Sequence, residues 1–127
     1  MKALIAALAL LATPAWAGDD QCPEAEARFV EIYGLPPAEI EGVTVVMMYK
    51  YSFCPAQISV PVGTTVRWVN VDKRTSHSVI VPGEPESPRA FPEETIEFTF
   101  LEAGDQRYLC GPHWESNDMI GMVTVTP

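Results

Sequence analysis

The chain has 127 residues, with 8 Lys plus Arg against 17 Asp plus Glu and a net charge of −9. That length suits a single domain. So acidic a balance excludes a protein that grips nucleic acid, because phosphate contacts need a basic face.

Lys2 opens a segment that does not belong to the fold. Residues 3–12 are an unbroken apolar run, too short to span a bilayer. Ala15-Trp16-Ala17 follows as a small-x-small cleavage signal, and Gly18-Asp19-Asp20 turns polar. Residues 1–17 therefore read as a secretory signal peptide cut after Ala17. The mature chain is expected to be periplasmic, without a membrane anchor, and monomeric. Losing Lys2 leaves 7 Lys plus Arg against 17 Asp plus Glu, a net charge of −10. Export also means an oxidising compartment, where disulfides persist. Of the three cysteines, Cys110 lies in a tight motif with His113, whereas Cys22 and Cys54 have no such neighbours. The expectation is a Cys22–Cys54 disulfide, with Cys110 left free for a metal.

Residues 23–33 read as one short helix. Pro23 suits a first helical position, acids crowd its start, and Gly34 with Pro36-Pro37 ends it. Residues 18–42 form an N-terminal helical extension to a domain covering residues 43–127. Beyond Gly42 the pattern changes to short β-rich runs. Residues 43–51 are dense in Val, Met and Tyr. Residues 58–62 lead to a turn at Gly63, and residues 65–69 alternate. Residues 77–81 form another run, and residues 82–92, with Pro82, Pro85, Pro88 and Pro92, form a loop. Residues 94–100 alternate strictly, which turns Ile96, Phe98 and Phe100 to the core. A turn at residues 103–105 precedes a run ending at Cys110, and residues 122–126 are the last strand. About seven short strands with evenly spaced turns point to an all-β, antiparallel sandwich carrying a short N-terminal helix.

His77 and His113 are the only histidines. Cys110 and His113 are separated by Gly111 and Pro112, a tight turn that can aim both side chains at one centre. Met119 follows on the same return loop. Two imidazoles, one thiolate and a distant thioether form the ligand set of an electron-transfer copper site. The soft thiolate favours Cu(I), the imidazoles accept both oxidation states, and the trigonal arrangement changes little as the electron moves. One such copper per chain is expected, held by His77, Cys110, His113 and Met119. Met122 competes with Met119 for the axial place. Spacing from His113, and the chain left to form the last strand, favour Met119.

These residues carry a resemblance. The Cys110-Gly-Pro-His113 spacing and the run Met119-Ile-Gly-Met-Val-Thr-Val resemble the ligand loop and axial-Met segment of the cupredoxins, the type 1 blue copper proteins, particularly the plastocyanin, amicyanin and pseudoazurin type. Phe53-x-Pro55 and Val60-x-Val62-Gly63-x-x-Val66-x-Trp68-x-Asn70 are similar to the strand-turn-strand before the first ligand histidine. The resemblance covers residues 43–126 and implies an eight-stranded Greek-key sandwich with one type 1 copper at its end. Three departures stand out. The loop from His113 to Met119 is one residue longer than in plastocyanin. Ser78 stands where the family usually has an Asn tying two ligand loops together, which predicts a weaker tie. The N-terminal helix is an addition, expected to cover an edge of the sandwich.

The expected function is a carrier of single electrons between redox proteins, such as a c-type cytochrome or a periplasmic oxidoreductase. Pro112 and Trp114 flank His113 as an apolar docking patch. Glu115 and Asp118 put acidic charge on the same loop, suited to selecting a cationic partner. A second acidic group lies in residues 19–41, where seven acids face only Arg28. A multicopper enzyme is not expected, because both histidines are spent on one site. A copper-handling or resistance protein is the alternative, with Met47-Met48 as its thin support. Zinc also suits one Cys and two His, and would leave the protein colourless and without a redox couple.

Overall fold

The computed structural model describes residues 19–127. The expected leader, residues 1–17, lies outside the described residues.

Helix α1 (Cys22–Tyr33) forms where the composition places it. Pro23 occupies its first turn, where the missing N–H costs nothing, and Gly34 ends it at φ 81°, its N–H donating to the Val30 carbonyl at 2.8 Å. Seven strands follow: β1 (Thr44–Tyr49), β2 (Ser52–Cys54), β3 (Gln57–Pro61), β4 (Thr65–Asn70), β5 (Thr95–Thr99), β6 (Gly104–Leu109) and β7 (Ile120–Thr126). A one-turn helix, α2 (Trp114–Asn117), sits between β6 and β7. Two sheets result, ordered β2-β1-β4-β5 and β3-β7-β6. The sandwich matches the expected all-β class. Within it β1 pairs parallel to β4 and β3 parallel to β7, while the other pairings are antiparallel.

Alternation sorts β1 into two cores. Val46 and Met48 join Phe53, Val66, Trp68, Phe100, Tyr108, Val123 and Val125 between the sheets. Val45, Met47 and Tyr49 point the other way, to Phe29 and Ala25 of α1, with Val69 and Val71 beside them. The strand reads as an unbroken apolar run because both of its faces are covered. The helix thus packs on a sheet face, and not over an edge as expected, because its own apolar residues need an apolar surface to bury against. Burying Phe29 contributes about 1.5–3 kcal/mol. The Cys22–Cys54 disulfide forms as expected and ties the first residue of α1 to the last of β2.

Two boundaries differ from the sequence reading. The run 43–51 is broken after Tyr49 by a two-residue turn, Lys50-Tyr51, with both residues at positive φ (46° and 61°). The run 77–81 makes only single bridges, His77 to Ala90 and Ile80 to Leu109. Its main-chain groups are shared among Ala90, Ser87, Leu109 and Glu84. That sharing prevents one continuous ladder and replaces the eighth strand. Ile96 and Phe98 pack partly buried against the inner core, with Phe100 fully inside it, as the alternation of residues 94–100 requires.

Candidate metal centre

The end of β6 builds the site. Cys110 follows Leu109, its N–H donating to the Met119 carbonyl at 3.0 Å. Its own carbonyl accepts from the N–H groups of His113 (3.2 Å) and Trp114 (2.9 Å). This folds Gly111-Pro112 into a tight turn and swings His113 back over the cysteine. Helix α2 then adds one turn, and Asp118 closes it in the left-handed region at φ 53°, which Asp tolerates better than most residues. The return brings Met119 in beside Cys110, where both are fully buried in the same apolar cluster.

His77 arrives from the other side. Its N–H and carbonyl bridge to Ala90, and its ring is fully buried. Its Nδ1 lies 3.7 Å from Cys110 Sγ, and His113 Nδ1 lies 3.5 Å from the same sulfur. The donor atoms of His77, Cys110 and His113 all fall within 4.8 Å of one another, the one such group of metal-binding side chains among the described residues. The two imidazole rings meet edge to face, with centroids 5.1 Å apart.

Both imidazoles thus present Nδ1 to a common point, and their outer nitrogens differ in surroundings. His77 Nε2 is 2.6 Å from the Asp72 carboxylate. Such a partner fixes the ring orientation and the tautomer, leaving Nδ1 free as a donor. Asp72 is itself held by the Lys50 N–H, at 3.1 Å and 3.3 Å to its two oxygens. His113 is only partly buried and reaches the surface. Burial pushes its pKa down, helped by the neighbouring His77, which keeps the ring neutral and able to coordinate. Burial pushes the Cys110 thiol up, partly opposed by main-chain hydrogen bonds from Ser78 and His113. A metal must therefore displace the thiol proton on binding.

Ser78 links the two ligand loops. Its Oγ accepts from the Gly111 N–H at 3.0 Å and donates to the Glu86 carboxylate at 2.7 Å. The tie between the two ligand loops is retained, and the proline-rich loop joins it. A Cβ at Gly111 would meet the Glu86 carboxylate and Ser78 Oγ, so a side chain there would have to push this tie aside.

Of the remaining expected residues, Met122 alternates with Ile120 and Thr124 on the outer face of β7, opposite Val123 and Val125. Trp114, Glu115 and Asp118 are exposed around His113, and Pro112 is half-buried. Four residues beside the site carried no signal of their own in the sequence. Asp72 and Glu86 are hydrogen-bonded as described. Tyr51 packs its ring against His113 in a T-shaped contact, with centroids 4.8 Å apart. Arg89 donates to Ser76 Oγ at 3.2 Å, and its charge lowers the pKa of both Cys110 and His113. Only the chain's folding brings these four to the ligands, and no short spacing betrays them.

The donor set, a soft sulfur with two imidazole nitrogens converging on one point, fits copper. Comparison with known proteins agrees. Residues 41–126 match the copper-binding proteins of the plastocyanin/azurin family. Halocyanin from Natronomonas pharaonis is 38% identical over 82 residues, covering 59% of this chain and 48% of halocyanin, so the chain spans about half the length of that relative. Among solved structures, a reduced amicyanin carrying a tryptophan-to-tyrosine substitution superposes with a TM-score of 0.61 at 30% identity, over 71% of this chain and 89% of amicyanin. A reduced Cu(I) amicyanin with a proline-to-glycine substitution gives 0.60 at 30% identity, over 72% and 90%. Sandwich and site together define a cupredoxin whose cofactor is one type 1 copper. The chain belongs to the plastocyanin/azurin family of copper-binding proteins.

Proposed function

We propose that His77, Cys110 and His113 hold the copper, that Met119 is its axial ligand, and that the protein shuttles single electrons between redox partners. The convergence of the three donor atoms within 4.8 Å carries the reading. Bound copper supplies a one-electron Cu(I)/Cu(II) couple. Cys110, as thiolate, favours the reduced state, and the two imidazoles serve both states. Asp72 and Ser78 hold the ligand segments in place, which keeps rearrangement small when the electron moves. His113 offers the way out, being the ligand that reaches the surface, with Pro112 and Trp114 as the apolar rim against which a partner docks. Glu115 and Asp118 on that rim favour a cationic partner, such as a c-type cytochrome or a periplasmic oxidoreductase.

The same reading has the leader removed after Ala17, residues 18–42 as a helical extension of the copper domain, and the mature chain working in the periplasm as a monomer. It takes the protein as a carrier and not an enzyme, since both histidines serve a single site. Met47 and Met48 do not support a copper-handling role, because both are buried, on opposite faces of β1.

Adding Cu(II) to the mature protein tests the proposal. The expected result is an intense thiolate-to-copper absorption band and a reversible one-electron wave. Met119→Leu should shift both the band and the potential, and Met122→Leu should leave them in place. No band at any copper loading defeats the proposal, and a shift with Met122→Leu alone moves the axial role to Met122. Colourless, redox-silent metal binding would mark a zinc site.

A further inference from the structure

The Lys50-Tyr51 turn is built against local preference. A two-residue hairpin turn with both residues at positive φ usually takes Asn-Gly, Asp-Gly or Gly-Gly, and a bulky aromatic is strained there. Such strain persists where the surroundings hold the residues for another purpose. Here every residue of the hairpin tip is engaged. The Tyr49 hydroxyl donates to Glu24 of α1 at 2.7 Å, and Lys50 Nζ pairs with the same carboxylate at 3.0 Å. The Lys50 N–H holds Asp72, which in turn holds His77 Nε2. The Tyr51 and His113 rings meet in a T-shaped contact, with an interplanar angle of 69°.

Building on the ligand assignment above, we propose that this turn is a clamp on both copper imidazoles, and that Tyr51 is the positioning residue for His113. Two observations separate this from ordinary packing. Tyr51 remains 44% exposed, so core burial does not account for its strained backbone. The turn also reaches the two histidines by independent routes, through Asp72 to one and through the Tyr51 ring to the other. His113 lies in a short loop and is only partly buried, so one side of its ring has no core wall. Tyr51 supplies a wall there and limits rotation of the imidazole away from Cys110. Glu24 anchors the clamp to α1, which links the N-terminal extension to the metal end of the sandwich.

Tyr51→Asn removes the ring while placing at position 51 a residue that accepts the left-handed region. Tyr51→Phe keeps the ring and removes only the hydroxyl. With copper bound, the asparagine variant should show a shifted midpoint potential, an altered Cu(II) electron paramagnetic resonance spectrum and several-fold slower outer-sphere electron exchange. The phenylalanine variant should match the parent in all three. An asparagine variant that folds, binds copper and keeps the parent's potential and spectrum overturns the proposal. So does a phenylalanine variant displaced as far as the asparagine one. A parent protein that never develops the blue band removes the ligand assignment instead, and is recognised before either variant is made.

Discussion

Copper donors, in this site, are only as well placed as the residues behind them, and Asp72 shows this best. Its carboxylate touches His77 Nε2 at 2.6 Å and accepts the Lys50 N–H, so it orients the ring from the side away from the metal. Asp72→Asn keeps the size of the side chain but removes its charge and one acceptor. Loss of such a partner typically lowers metal affinity by about 10–100-fold. Competition titration against a copper chelator should show a drop of that order, with far-UV circular dichroism unchanged. An unchanged affinity would mean that Asp72 does not orient the ligand. The proposed ligands are legible in the sequence, because Cys110, His113 and Met119 lie within one loop and His77 is the one histidine outside it. Asp72 is not, since five residues before a histidine is no motif. Tyr51 is still less legible, because its contact with His113 requires the hairpin tip and the β6–β7 loop to meet at the same end of the sandwich.

At the level of elements, α1 depends on both burial and charge. Phe29 and Ala25 seat it on the outer face of β1 and β4, and the Glu24 carboxylate closes it onto the hairpin tip through Tyr49 and Lys50. Hydrogen bonds from Tyr49 and then Lys50 hold the Glu24 pKa below its ordinary value of 4.5. A carboxyl depressed in the folded state stabilises the fold above its unfolded pKa, and loses that contribution as pH falls through its folded pKa. Thermal midpoints of the parent should therefore fall more steeply below about pH 4.5 than those of Glu24→Gln, with the two curves converging in acid. Parallel curves would show that the contact is not formed in solution. The helix was readable because Pro23 and Gly34 bracket it. The face it covers was not, because a strand buried on both sides looks the same whichever layer lies outside. The hairpin was hidden for a related reason: Lys-Tyr carries none of the residues that usually mark a tight turn.

Over the whole molecule, charge is distributed unevenly about the copper end. The mature chain would carry −10, and Glu115 and Asp118 stand exposed beside His113. Arg89 opposes them from the proline-rich loop, close enough to act on both Cys110 and His113. A field of this kind steers a cationic partner and raises association rates by about 10-fold to 1,000-fold at low ionic strength. Salt removes that advantage, because the screening length shrinks from about 30 Å at 0.01 M to about 3 Å at 1 M. Stopped-flow reduction by a basic c-type cytochrome should therefore slow by at least about tenfold across that range. Paired Glu115→Gln and Asp118→Asn substitutions should lower the rate at low salt and leave the high-salt limit unchanged, since they alter the approach and not the proposed contact surface of Pro112 and Trp114. Arg89→Gln should act in the opposite direction at low salt. A rate that ignores ionic strength in the parent and all variants would leave the acidic rim with no part in choosing a partner, and would shift that role to the apolar surface around His113.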